Sequence, residues 1–428
     1  MSALVLFGLP VVLITIGIPI FLVLLLTSIA GILILGVGDL FVIHTAVFGS
    51  LDSFPLLAVP LFVVAGDVMA RGGIAQRLIE LILSVVGGVR GSLPMATILS
   101  ASAFGAMSGS SVACVAAIGK LTLPALEKNG YGRTFGVSLI TSTGVLDVVI
   151  PPSIPMIIYG VVAQQSVTDL FLAGIVPGLI IACALCLYVF LRSVWMRSPV
   201  GGKPSLATII PALKRSTWAV ITPVLILGGI YGGAFTPTEA AGVACWYSIL
   251  ISVYVYRELT WLEVFRITIE SCVLVAQIMI LVAAAGAYSW LITTSGMPAA
   301  LVEFIKGLHL QGWSLLLVIN FVLLTIGSVL EPPAAILILT PLLTPLIADA
   351  GINPLHFGLV ITVNLAIGMS LPPFGLNLFA SHALFKVPLP TLYRGAIPFL
   401  TIYIAILILV TYVPAITLEP VRWLRAFN

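Results

Sequence analysis

The chain has 428 residues, of which 61% are hydrophobic and only 8% charged, with a formal net charge of +3 and a mean hydropathy of +1.25. A soluble domain carries about 25% charged residues, so this chain cannot cover a water-facing surface and reads as a polytopic membrane protein. Only helices and closed barrels cross a bilayer, and long apolar runs without period-two alternation, such as residues 4–26 and 397–413, predict an all-α fold.

The first run is too long for a cleaved signal peptide and lacks a basic start and a small-residue cleavage site, so it is expected to be a span. Further on, "FGAMSGSSVACVAAIG" (104–119) sets Ser108, Gly109, Ser110 and Ser111 in a row inside apolar sequence. Such a break predicts a re-entrant hairpin over about 92–127, entering and leaving the membrane on one side. "TSTGVLDVVIPPSIP" follows, and its Pro151-Pro152 pair predicts a helix over about 133–160 that is unwound midway. Proline removes a backbone donor and clashes with the preceding turn. The stretch 192–216 holds Arg192, Arg197, Lys203, Lys214 and Arg215 and no acidic residue. The positive-inside rule makes it a cytoplasmic linker, dividing an N-terminal half (1–191) from a C-terminal half (217–428). In the second half "GSVLEPP" (327–333) predicts a hairpin over about 313–348, and Pro372-Pro373 an unwound helix over about 355–384.

The punctuation repeats. Pro124, Gly130 and Pro151 in the first half, and Pro345, Gly351 and Pro372 in the second, are separated by the same intervals of 6 and 21 residues. The polar clusters precede them by 15 residues (Gly109 to Pro124) and 14 residues (Glu331 to Pro345). This spacing indicates a duplication; a single basic linker leaves both a parallel and an inverted repeat open. Corresponding breaks in two halves point to a midplane binding site in a secondary transporter, because freed carbonyls survive in a membrane only where they line a cavity or bind something.

Small hard cations take oxygen ligands. The first pair of breaks offers Ser108, Ser110, Ser111, Thr141, Ser142, Thr143, Gly144 and Asp147 as hydroxyl, carbonyl and carboxylate donors for a sodium ion. The second offers Thr325, Gly327, Ser328, Glu331, Thr362, Asn364, Gly368, Met369 and Ser370. Intramembrane carboxylates are functional by default; the apolar stretch before Glu331 ranks it first, with Asp147 second. Asn377, after the second proline pair, is placed to donate to a carboxylate or sugar, and Ser153 holds the related place in the first half. Lys120 is expected to snorkel to an interface. The five cysteines read as packing thiols, and His44, His309, His356 and His382 as interfacial or loop residues.

"VPLFVVAGDVMARGGIAQRL" (59–78), "SASAFGAMSGSSVACVAAIG" (100–119), "NGYGRTFGVSLITSTGVLDVVIPPSIPMIIYG" (129–160), "SVTDLFLAGIVPGL" (166–179) and "GAFTPTEAAGVACWYS" (233–248) resemble the large membrane subunit of tripartite ATP-independent periplasmic (TRAP) transporters. The resemblance covers most of the chain. It implies a bacterial inner-membrane secondary transporter with an inverted-repeat, elevator-type fold, driven by sodium (Na+) and taking up C4-dicarboxylates, sialic acid or related sugar acids. It further implies two partners, a small four-helix membrane subunit and a periplasmic substrate-binding protein; neither nucleic acid nor an organic cofactor is expected. Carried onto this chain, one ion site draws on Ser108, Ser110 or Ser111 with Gly144 and Asp147, and the other on Gly327, Glu331, Asn364 and Gly368 or Met369. Substrate lies between the hairpin tips and the proline pairs, near Ser111, Pro152, Ser153, Pro373 and Asn377. The chain departs from the family at Leu330-Glu331, where Met-Asp is frequent, and at the Pro332-Pro333 that follows. It starts without a four-helix portion, so the small subunit is expected to be a separate polypeptide.

Two other readings compete. A proton-coupled or stand-alone transporter would use Glu331 and Asp147 as a relay. An intramembrane serine hydrolase would need a serine of 108–111 as nucleophile and a histidine such as His382 as base within hydrogen-bond reach; it leaves the matching breaks of the second half unexplained.

Overall fold

Glycine and proline set where the helices stop. The structure, a computed structural model, describes residues 4–198, 200, 204–310 and 312–427; Lys203 and its neighbours in the basic linker lie outside the described residues. The first apolar run does not form one span. A π-helical turn (Leu4–Gly8) and α1 (Leu9–Thr15) end at Gly17, whose φ of +89° favours glycine, and Pro19 then caps the start of α2 (Ile20–Leu35).

Next come α3 (Phe41–Leu51), a 3-10 turn (Phe54–Leu57), α4 (Ala58–Arg71) and α5 (Ile74–Val85). A helical hairpin follows, α6 (Ser92–Ser108) and α7 (Ser111–Lys128), and then a broken helix, α8 (Arg133–Val149) and α9 (Ile154–Val162). The longer α10 (Val167–Trp195) and α11 (Leu206–Tyr231) flank the basic linker. Beyond them, α12 (Pro237–Leu250) and α13 (Trp261–Thr294) each begin with a capping box, Thr236 with Glu239 and Thr260 with Glu263. After α14 (Met297–Gly307) the pattern returns: a hairpin, α15 (Trp313–Gly327) and α16 (Pro332–Asp349), and a broken helix, α17 (Pro354–Gly368) and α18 (Leu376–Phe385). The chain closes with α19 (Leu389–Tyr412) and α20 (Ala415–Phe427). Among the described residues, eight helical segments are long and apolar enough to cross a membrane. At 34 residues α13 would extend about 51 Å, so it must tilt in, or project from, a hydrocarbon core of about 30 Å.

Two hydrogen bonds fix the direction of the broken helices. Arg133 Nη2, at the start of α8, donates to Phe385 O at the end of α18, 2.8 Å away. Tyr159 OH, near the end of α9, donates to Pro354 O at the start of α17, at 2.7 Å. The α8–α9 and α17–α18 pairs therefore run side by side in opposite directions. Each hairpin leads into the start of its own broken helix, so the two hairpins approach from opposite ends. Both α8 and α17 lie at the centre: residues 136–149 and 356–368 are buried without interruption, the polar Ser138, Thr141–Thr143, Asp147, His356, Thr362 and Asn364 included.

Candidate binding site at the two broken helices

Helix α6 ends at Ser108 because Gly109 takes a left-handed φ of +64°, and Ser110 then turns the chain into α7. A Cβ on Gly109 would stand 3.2 Å from Pro152 O, which places the first hairpin tip against the first proline pair. Ser108 Oγ accepts from the Ser110 amide at 3.3 Å, while Ser110 itself is half-buried. Ser111, in the first turn of α7, reaches further. Its Oγ lies 2.9 Å from Gly144 O on α8 and 2.8 Å from Asn377 Oδ1 on α18. Gly144 permits this approach, since a Cβ there would meet Ser111 Oγ at 2.6 Å and Asn377 Nδ2 at 2.7 Å.

One turn beyond Gly144 sits Asp147. It is fully buried, and neither carboxylate oxygen has a hydrogen-bond partner among the described residues. Helix α6 closes over it at Gly105, where a Cβ would lie 2.8 Å from Asp147 Cα and 3.4 Å from Oδ1. The hydroxyls of Thr141, Ser142 and Thr143 instead bond carbonyls of their own helix, and Thr141 also meets Ser381 of α18 at 2.6 Å. A buried charge with no partner is costly, so this carboxylate calls for a cation or a proton.

The second tip is built differently. Gly327, ending α15, packs its backbone directly on Gly368 of α17, and a Cβ on Gly327 would be 3.1 Å from Leu365 Cα. Asn364 Nδ2 donates to Asn320 on α15 (Oδ1 at 2.8 Å, O at 3.1 Å), leaving Asn364 Oδ1 buried and unpartnered. Met369 O accepts from the Asn377 amide at 2.9 Å. Gly327, Asn364, Gly368 and Met369 are thus brought together. Glu331 shares only Gly327 with them: it caps the start of α16 without a side-chain cap bond, is exposed, and lines with Gly327 a cavity of about 600 Å³ between the second tip and α13. The cavity also takes in Gln277, Ser328 and Phe374, and none of its lining residues is basic. The first tip does not reach it.

Of the remaining candidates, Pro152 and Ser153 are buried, and Ser153 Oγ, Ser370 Oγ and Asn377 Nδ2 have no partner among the described residues. Pro373 is exposed, and its carbonyl accepts from Tyr393 OH at 2.7 Å. Both Pro-Pro peptide bonds are cis. His382 Nδ1 lies 2.8 Å from Val387 O and bonds no serine of 108–111. His356 is not in a loop: it is buried in the first turn of α17, with Thr417 Oγ1 at 2.8 Å and Thr411 O at 3.1 Å. Of the cysteines only Cys114 is buried; Cys183 and Cys272 face outward on apolar helices. Sequence reasoning passed over Gly105 and Asn320. The lone amide within "LLLVINFVLL" was the signal for Asn320; Gly105, in apolar sequence, carried none.

Residues 7–416 match the family described as the DctM component of tripartite ATP-independent periplasmic transporters. The C4-dicarboxylate TRAP transporter large permease protein of Pseudomonas aeruginosa is 39% identical over 377 residues, covering 88% of this chain and 88% of that protein. The isethionate TRAP transporter permease protein of Oleidesulfovibrio alaskensis is 38% identical over 96% of this chain, which spans 65% of that protein's length. The crystal structure of the YdaH transporter of Alcanivorax borkumensis is similar with a TM-score of 0.65, covering 87% of this chain and 88% of that one; at 14% identity this is a likeness of fold.

Proposed function

The chain belongs to the DctM component family of tripartite ATP-independent periplasmic transporters, a multi-pass inner-membrane permease, and we propose that it takes up a small organic anion in symport with sodium. Its similarity to permeases named for a C4-dicarboxylate and for isethionate supports an anion of that size, carrying carboxylate or a comparable acid group. In this reading the α6–α7 and α15–α16 hairpins are re-entrant and belong, with the broken helices, to an inverted repeat that moves as an elevator. The substrate arrives from a periplasmic binding protein, and a small four-helix subunit completes the membrane complex.

The observation that carries the proposal is Asp147, a carboxylate buried beside a hairpin tip with both oxygens unpartnered. In this reading sodium bound there neutralises the charge and takes Ser111 Oγ and Gly144 O, which lie 2.9 Å apart, as further ligands between α7 and α8. The missing basic residue in the Glu331 cavity supports the same reading, because an anion entering it needs a cation to bring its counter-charge.

The test is uptake of radiolabelled C4-dicarboxylate, sialic acid and sugar acids into proteoliposomes holding the chain, its small subunit and the binding protein, with sodium and pH gradients imposed separately. A sodium gradient alone should drive accumulation, and omission of the binding protein should abolish it. A proton would satisfy Asp147 equally well, so accumulation driven by the pH gradient alone, indifferent to sodium, would replace sodium by protons. Full-rate uptake without the binding protein would overturn the tripartite reading.

A further inference from the structure

A second cavity, of about 530 Å³, opens between the α7–α8 turn, the last turn of α10 and the first turns of α19. Arg192 and Arg394 both line it, and no acidic residue does. Arg192 is held in place: its Nη1 donates to Tyr188 OH at 3.0 Å, and its guanidinium lies over the Phe135 ring, 4.5 Å from the centroid. Neither Arg192 nor Arg394 has an ion pair among the described residues, whereas Arg133 nearby is paired with Glu127. Thr134, Ser198 and Thr391 add hydroxyls around the same mouth.

Two guanidinium groups sharing one cavity without a counter-charge make an anion site, and a planar fork of donors suits phosphate in particular. The two helices that frame the cavity also carry exposed apolar residues. Leu187 and Leu191 on α10 and Ile397 and Ile404 on α19 are exposed, and Trp195 stands 85% exposed at the end of α10. The surroundings therefore fit a ligand with an anionic head and a hydrocarbon body, which a free phosphate lacks. The basic residues that follow in the chain put this end in the cytoplasmic leaflet by the positive-inside rule, where pockets of this kind hold acidic headgroups.

We propose that the Arg192–Arg394 cavity binds the phosphate of an acidic phospholipid from the cytoplasmic leaflet. Both α10 and α19 pack against α8, and Tyr393, beside Arg394, holds Pro373 O of the second break. A lipid bridging the two arginines fastens the ends of helices that enclose the central broken pair.

The full-length protein, purified in detergent, is exchanged into nanodiscs of phosphatidylcholine with a minor fraction of phosphatidylglycerol, and the lipid retained after re-extraction is weighed by native mass spectrometry. Wild type should retain phosphatidylglycerol selectively. The double variant Arg192→Gln/Arg394→Gln should retain about thirtyfold less, with Arg394→Gln intermediate, Arg394→Lys closer to wild type, and Arg422→Gln, on α20 away from the cavity, unchanged as a control. Gel filtration and thermal unfolding of the single variant separate lost binding from lost folding. Equal retention by wild type and a folded double variant overturns the proposal, as does retention of phosphatidylcholine to the same extent. Stabilisation of the lipid-free protein by inorganic phosphate as large as that by phosphatidylglycerol would reassign the site to a soluble anion.

Discussion

Ser111 Oγ, on the first hairpin, stands 2.8 Å from Asn377 Oδ1, on the second broken helix, so one hydroxyl joins the two halves of the chain at the centre of the molecule. The same hydroxyl is 2.9 Å from Gly144 O. A single proton cannot serve both acceptors, and the Asn377 Nδ2 group is left without a partner. Turning the amide over closes the network: Nδ2 donates to Ser111 Oγ, Ser111 donates to Gly144 O, and Oδ1 becomes the free oxygen.

Coupling between these two residues is the first prediction. Interhelical hydrogen bonds within membranes contribute about 0.6 kcal/mol on average and up to about 1.7 kcal/mol. Ser111→Ala and Asn377→Ala should each lower thermal stability in detergent by an amount in that range or somewhat above it, because each leaves the other buried group unpaired. The double variant should lose clearly less than the sum. Strict additivity in the cycle would show that the two side chains are neighbours without an energetic link.

Asp147→Asn should separate folding from ion binding. Replacing an unpartnered buried carboxylate by a neutral amide of the same shape relieves the desolvation of a charge, so the sodium-free protein should be as stable as wild type or more so. Wild type should gain about 2.7 kcal/mol from the Asp147 site when sodium is raised to a hundred times that site's dissociation constant; the variant should lose that gain and keep only what a second ion site supplies. The readout is thermal unfolding against sodium concentration, with lithium and potassium as comparison ions. A variant that keeps the full sodium shift would remove Asp147 from the ion site.

How much of this could be read from residue order depends on whether the signal was local. A Pro-Pro pair lacks two donors wherever it sits, and Gly109 tolerates a left-handed backbone; the breaks after Val149 and Gly368 and the turn at 109–110 stand on such residues. Residues 4–26 show the limit even there: Gly17 and Pro19 divide them, yet their neighbours are apolar enough to read as one span. Burial was harder to see. The apolar sequence before Glu331 suggested an interior carboxylate, but Glu331 caps a helix at a cavity mouth, whereas Asp147 is sealed by Gly105, 42 residues away in the chain. The antiparallel course of the two broken helices rested on pairings such as Arg133 with Phe385, which no interval between prolines encodes.

The Gly327–Gly368 contact yields a prediction about backbone packing. A Cβ on Gly368 would overlap the carbonyl carbon of Gly327, and no flexible side chain stands between them to move aside. Gly368→Ala must therefore separate α15 from α17, at a cost of about 1–3 kcal/mol. Gly327→Ala, whose Cβ would press on Leu365 Cα at 3.1 Å, should cost less. Both should lower uptake through the second tip while leaving the Asp147 sodium response in place. The check is thermal unfolding in parallel with transport; equal tolerance of both alanines would mean that the tip floats freely on α17.

Glu331 supports the last prediction because its carboxylate faces a cavity with no basic residue in its lining. Alone it would repel an entering anion; with sodium held between them it would attract one. Being exposed at a helix start, it should be replaceable by glutamine with little change in thermal stability. If Glu331 is an ion ligand, Glu331→Gln should raise the sodium concentration needed for half-maximal uptake about tenfold, the equivalent of one lost charge-assisted contact of about 1.5 kcal/mol. The KM for the anion should then rise at low sodium and recover at high sodium. An unchanged sodium requirement with a lower KM for the anion would instead make Glu331 a repulsive wall, and would leave the second ion site to the oxygens of Asn364 and the carbonyls around Gly327 and Gly368.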